Sequence, residues 1–282
     1  MDASADVDIN ILDTAGIQCL PMEYSLGDKI IICKGRESAQ RLKSFYDSQR
    51  GGDLTHTTQI APHNYIEAFS KYMSKGYCVL YLSLSSGLSS TYDSAVSAKA
   101  ELEERYPDTA LYVVDTLGAT AGIGMCIERA AANKEAGMSI EENFGDLEEY
   151  KKHIQHILMV PDLMYLKRGG RVNAASAVLG TALNIIPILE INDAGRLAVT
   201  AKKRGPKLAI KELVQMAKDR YDPAFGNVGY IVNADDPEMR DLLTEKLSEA
   251  LPDVTFKQTG LSPIIGAHTG PGLTAVVVAG NR

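Results

Sequence analysis

The apolar and polar positions of the chain follow two rhythms. From residue 77 onward, an apolar run, a polar loop and an amphipathic stretch succeed one another twice: 77–84 before 91–105, then 110–114 before 119–136. That order is the sequence form of parallel strands joined by helices. Upstream, residues 17–26 and 29–33 read as two strands around a Gly27-Asp28 turn. Residues 38–49 and 62–75 read as helices, with Pro62 suited to a first turn, where its missing N–H costs nothing. Between these helices lies the polar loop Thr55-His56-Thr57-Thr58-Gln59. Gly118, Gly122 and Gly124, around the entry to the 119–136 helix, leave room for a close neighbour.

The rhythm changes after an acidic helix at 140–152 and a short apolar run at 153–160. Residues 185–191 and 196–202 are strands joined by Asn192-Asp193-Ala194-Gly195, so this half holds antiparallel pairing. A helix at 207–220, a strand at 228–233, a helix opened by Asp236-Pro237, and strands at 254–258 and 274–279 follow. The expected fold class is therefore α/β in two domains. Residues 1–155 form a mostly parallel α/β domain, and residues 156–282 an α+β domain with antiparallel strands. A length of 282 residues accommodates both.

Composition narrows the function classes. A 45% hydrophobic and 23% charged chain packs as a globular protein, and its net charge of −7 argues against nucleic-acid binding, which rests on many lysines and arginines. Cys19, Cys33, Cys78 and Cys126 show no CxxC spacing and read as buried thiols of a reducing compartment. The start MDASADVDIN lacks the basic and apolar regions of a signal peptide, and no apolar run is long enough for a membrane helix, so a cytoplasmic protein is expected. No P-loop, no G-x-G-x-x-G and no metal-ligand spacing occurs; no cofactor or metal is expected.

The candidate chemistry lies in hydroxyl-rich and basic stretches. SLSSGLSSTY, residues 83–92, follows a strand and opens a helix, the position at which parallel sheets bind ligands. Ser90 with Asp93 fits an N-cap pattern, which leaves Ser85, Ser86 and Ser89 for a ligand. Gly87 lets backbone approach closely, and the free N–H groups of a helix start suit a carboxylate or a phosphate. His153 and His156 lie on or beside a helix, where a solvated face is expected. His268, in Gly266-Ala267-His268-Thr269-Gly270-Pro271-Gly272, sits in tight backbone and reads as positioned for a site. A serine nucleophile would need a base, and the loop contains no G-x-S-x-G. Lys167, Arg168 and Arg171, with Lys202, Lys203, Arg204 and Lys207, concentrate seven positive charges in an acidic chain, and suit a phosphate or an acidic partner surface.

Taken together, SSGLSSTY, the 165–171 stretch YLKRGGR, Lys203-Arg204-Gly205 and His268-Thr269-Gly270-Pro271-Gly272 resemble the DegV family of bacterial fatty-acid-binding proteins in order and spacing over nearly the whole chain. The resemblance implies two α/β domains with a long-chain fatty acid between them. The carboxylate lies near hydroxyl loops of the N-terminal domain, and the tail runs into the apolar C-terminal domain. It also implies a non-catalytic, monomeric carrier that presents the acid to a fatty acid kinase, which forms acyl phosphate for phospholipid synthesis. Carried onto this sequence, the head-group residues are Ser85 or Ser86 with Gly87, together with Thr57 or Thr58 and a nearby His268. Arg171, Arg204 and Lys203 face the kinase or a membrane surface, and 174–191 walls the tail.

The sequence departs from the family pattern in three places. Thr57-Thr58-Gln59-Ile60-Ala61 stands where the family usually has T-S-Q-P-S, and Ser90 where it usually has glycine. The chain also begins where the family's first strand ends, with Asp2-Ala3-Ser4 resembling the acidic-hydroxyl turn after it. A chain of about fifteen methylenes at ~0.8 kcal/mol each contributes on the order of 12 kcal/mol before entropic costs, so the tail supplies most of the affinity of such a carrier. Two alternatives remain on the sequence alone: a serine-dependent acyl hydrolase using Ser85 or Ser86 with His268, and a regulator binding a partner through its basic face.

Overall fold

The computed structural model describes residues 1–7, 9–35, 37–172 and 184–281. Most of the apolar stretch expected to wall a tail, residues 174–183, lies outside the described residues. The hairpin β1 (Met22–Leu26) and β2 (Lys29–Cys33) turns at Gly27, whose φ of 57° is a conformation that glycine adopts without strain. The short strand β3 (Thr57–Thr58), within the loop read as polar, joins β1 antiparallel, giving a sheet ordered β2-β1-β3. Helices α1 (Ile9–Thr14), α2 (Ala39–Arg50) and α3 (Pro62–Met73) accompany it, and Ser38 caps α2 by accepting the Arg41 N–H.

The predicted strand-loop-helix repeat is present. Strands β4 (Val79–Ser83) and β5 (Leu111–Asp115) pair in parallel and lead into α4 (Thr91–Arg105) and α5 (Ala121–Glu135). Helix α6 (Ile140–Tyr150) follows, opened by a capping box between Ser139 and Glu142. The N-terminal half thus divides between a parallel pair and an antiparallel sheet.

A mixed sheet of six strands begins at Ile154. Its order is β10-β9-β11-β6-β7-β8, built from β6 (Ile154–Met159), β7 (Ile185–Ile191), β8 (Leu197–Arg204), β9 (Val228–Asn233), β10 (Thr255–Gly260) and β11 (Thr274–Ala279). Only β9 and β10 pair in parallel. Strands β6 and β11 are buried at every position, because both faces of the sheet are covered. On one face Ile157, Met159, Val276 and Val278 pack on Leu213 of α8 (Pro206–Arg220) and Leu243 of α9 (Pro237–Ala250). On the other, Leu158, Ala275 and Val277 join the apolar cluster of the N-terminal half.

Two sequence expectations change here. His156 has no solvated face: it lies inside β6, its ring packed against Gly118 and Gly122, where an added Cβ would come within 2.8 and 2.0 Å of it. The glycines at the α5 entry are the room this ring needs. His153, just before β6, is half-buried and stacks on Phe225 at 3.7 Å. The glycine-rich stretch before β11, read as tight backbone, begins as a helix: Pro263 opens α10 (Pro263–Thr269), which carries His268 and ends at Gly270, φ 75°.

Candidate functional site

A cavity of about 260 Å³ lies between the two halves. Leu158 of β6, Ile191 of β7, Leu197 of β8 and Val277 of β11 form one wall, so four neighbouring strands turn apolar side chains toward it. Thr57, Thr58 and Gln59 enter from β3 and the residue after it, and Ser89 and Ser90 from the serine loop. His268 comes from α10, and Arg171 follows α7 (Met164–Arg168).

The polar members are linked. His268 Nε2 lies 2.7 Å from Thr57 Oγ1, and the Arg171 guanidinium is close enough to His268 to disfavour its protonation. Burial is the larger influence, and with Arg171 and His56 it lowers the imidazole to about 4, so His268 is neutral at pH 7. A Cβ on Gly169 would sit 2.6 Å from His268 Nδ1, so the glycine before Gly170 in YLKRGGR makes space for this ring.

Arg171 was expected to face a partner or a membrane. The structure turns it inward instead: its Nε donates to the Leu88 carbonyl at 3.0 Å and its Nη1 to the Gly169 carbonyl, which ties the end of α7 to the serine loop. Burial lowers its pKa, although a guanidinium stays charged. Arg204 is exposed on β8 and lies outside the cavity wall; Lys203 pairs with Glu212 at 2.7 Å.

The serine loop also divides differently from its sequence reading. Ser85 is fully buried; its hydroxyl donates to the Gly195 carbonyl at 2.8 Å and accepts the Gly87 N–H at 3.1 Å. Gly87 lies against the β7–β8 turn, where a Cβ would come 2.5 Å from the Ala194 carbonyl. Ser86 is exposed, and its N–H donates to Asp115 Oδ1 at 3.1 Å. None of these three lines the cavity: Ser85 and Gly87 dock the loop on the second half, and Ser86 is tied to β5 of its own half. The expected cap at Ser90 is likewise not made by its side chain; Ser89 Oγ accepts the Thr91 N–H at 3.2 Å. For the hydrolase alternative, His268 is paired with Thr57 and not with Ser85, whose hydroxyl is bound to Gly195.

Two residues escaped the sequence reading. Thr120, at the cavity wall before α5, has φ 51°, and its N–H donates to the Ser4 carbonyl at 3.1 Å. Beside it Asp6 is buried and raised to about 7 by desolvation, against the opposing hydrogen bonds of Thr120 and Ser262. No local pattern marks either, since both owe their place to contacts distant in sequence. The Asp2-Ala3-Ser4 turn is buried as well: Ser4 bonds to the Asp2 carboxylate, which also accepts the Tyr81 hydroxyl at 2.6 Å.

Among the described residues, no group of histidine, cysteine, aspartate and glutamate could hold a metal ion, and no helix is long and apolar enough to cross a membrane.

A two-half α/β protein with an apolar cavity between its halves, closed at one side by a threonine-histidine-arginine cluster, defines a class of small-molecule binding folds. Within it, the chain belongs to the DegV family, whose profile, described as an uncharacterised protein family, matches residues 1–281. It is 36% identical to a DegV domain-containing protein of Clostridium perfringens over 98% of this chain and 92% of that protein. Its fold is similar to that of a fatty-acid-binding DegV family protein from Thermus thermophilus, with a TM-score of 0.85 and 27% identity over 99% of this chain and 97% of that one. The fatty acid kinase B3 protein of Streptococcus pneumoniae, solved loaded with linoleic acid, shares the fold at a TM-score of 0.84 and 18% identity, covering 99% and 98% of the two chains.

Proposed function

We propose that this chain is a carrier that binds a long-chain fatty acid in the cavity and presents its carboxylate to a fatty acid kinase. The observation that carries the reading is the Thr57–His268 pair beside Arg171 in a cavity otherwise walled largely by apolar strands. The acyl tail lies against Leu158, Ile191 and Val277 and supplies most of the binding. With the neutral imidazole donating from Nε2 to Thr57 Oγ1, the threonine O–H is left to donate to the carboxylate. Arg171 carries five N–H donors, more than its two backbone bonds use, and adds positive charge to the same place. Ser89 and Ser90 take the part in the head-group site that Ser85 and Ser86 were expected to play.

A carboxylate held largely by hydroxyl donors is easier to hand on than one locked in a dry ion pair. The kinase step rests on the likeness to the pneumococcal protein, and Arg204 is the exposed cation we assign to the partner surface. No side chain is given a catalytic role.

Native mass spectrometry of the purified chain, with solvent extraction, should show a co-purified long-chain fatty acid. A clean apo mass with no uptake of added oleate overturns carriage. Added to a purified fatty acid kinase with ATP, the loaded protein should support acyl phosphate formation, and Arg204→Glu should reduce it while leaving the lipid content intact. A fluorophosphonate probe should leave the chain unlabelled; labelling lost on Ser85→Ala or Ser86→Ala would favour the hydrolase.

A further inference from the structure

Among the described residues, strand β2 has a free edge and an apolar outer face. It lies at the end of the β2-β1-β3 sheet, and Ile30 and Ile32 are 73% and 51% exposed, far above what isolated aliphatic side chains need. The register with β1 pairs Ser25 with Ile30 and Glu23 with Ile32. Ser25 donates its N–H outward to the His56 carbonyl at 2.8 Å, so Ser25 and Ile30 form a pair not hydrogen-bonded to each other. By the alternation of an antiparallel ladder, the N–H and C=O groups of Ile30 and Ile32 point away from β1. An exposed, hydrophobic edge of this kind is a template for strand pairing.

We propose that the occupant of this edge is a second copy of the chain, its β2 paired antiparallel with the first about a two-fold axis through Ile31. The sequence of the edge selects this partner and this register. Centred on Ile31, Ile30 lies opposite Ile32 of the other copy, so the outward-pointing backbone groups meet and four isoleucines cover one another. Just beyond the two ends of β2, the turn residue Asp28 falls opposite Lys34 of the other copy, twice by symmetry. Shifting the register by two residues either way sets Asp28 or Lys34 against an isoleucine and removes both charge pairs. The product is one continuous sheet running β3-β1-β2 into its symmetry copy, with the two Thr57–His268 sites at opposite ends. The monomer implied by family resemblance is replaced by a dimer whose cavities stay open.

Sedimentation equilibrium of the full chain over a wide concentration range tests this. The wild type should approach twice 30.5 kDa as concentration rises. Ile30→Lys combined with Ile32→Lys should stay at the monomer mass with an unchanged thermal melt, because both side chains are exposed. Asp28→Lys should weaken dimerisation roughly fivefold, and adding Lys34→Asp should restore it. A monomer at every concentration up to about 1 mM, a range in which even a weak interface shows, overturns the proposal. So does a dimer that survives the double lysine variant, or a charge swap that fails to restore pairing. A monomeric wild type whose double lysine variant stops binding a fatty acid kinase assigns the patch to that enzyme and equally overturns self-pairing.

Discussion

The molecule contains two hydroxyl-rich loops, 55–59 and 83–90, and they do opposite things. In the first, the Thr57 hydroxyl faces the cavity and meets His268 at 2.7 Å. In the second, the buried Ser85 is fully occupied by backbone: it bonds the Gly195 carbonyl and receives the Gly87 N–H. One loop builds the site, while much of the other fastens the N-terminal half to the β7–β8 turn. A serine's role is thus decided by what lies opposite it in the fold, and here that partner is 110 residues away. The sharpest way to break this comparison is Gly87→Val. Its side chain has no space beside the Ala194 and Gly195 backbone, which cannot yield as a flexible side chain would. We expect a loss of about 3 kcal/mol in urea unfolding, with fatty acid uptake impaired only through the loss of folded protein. If Gly87→Val instead folded normally and lost ligand, the docking role assigned to the second loop would fail.

Ser85→Ala and Thr57→Val separate the loops more finely. The first leaves the Gly195 carbonyl and the Gly87 N–H without their partner in a buried place, a cost of about 2 kcal/mol in stability. Its affinity for oleate, measured by titration calorimetry, should be unchanged. Thr57→Val keeps the β-branched shape that β3 favours and removes only the hydroxyl. We expect stability to fall less than in Ser85→Ala and oleate to bind about tenfold more weakly, close to 1.4 kcal/mol. Equal effects of the two variants on affinity would erase the distinction between the loops.

The regular elements were the legible part. Thr91–Arg105, Ile185–Ile191, Val228–Asn233 and Thr274–Ala279 lie where hydrophobic spacing and turn residues place them, because each buries a face set by its own period. Thr57, Thr58 and His268, singled out in the sequence as candidates, are brought together at one cavity. The direction of individual side chains was not legible. Arg171 reads as a surface charge beside two glycines, yet it is drawn inward by the carbonyls of Leu88 and Gly169. His156 follows an acidic helix in sequence but belongs to a strand covered on both faces. Gly169 shows no reason to be glycine until His268 is packed on it. Each depends on contacts between segments far apart in the chain, which local patterns do not encode.

The smallest effect sets two buried titratable groups against each other. His268 titrates near 6.5 when unfolded and at about 4 when folded, so between those values the unfolded chain holds more protons, and stability falls as the pH drops through that window. Asp6 is the reverse: its carboxyl moves from 3.8 up to about 7 on folding, so the folded chain holds the extra proton and stability falls as the pH rises from about 4 to 7. The two slopes oppose each other over most of their range, and the ligand-free wild type should show a shallow profile in urea unfolding between pH 4.5 and 6.5. His268→Gln removes the acid-side loss and should leave a protein that gains stability relative to wild type as the pH falls. Asp6→Asn removes the opposite term and should lose stability more steeply than wild type on acidification. Profiles for the two variants that tilt in the same direction would show that His268 and the buried carboxyl beside Thr120 are not the groups that set the acid response.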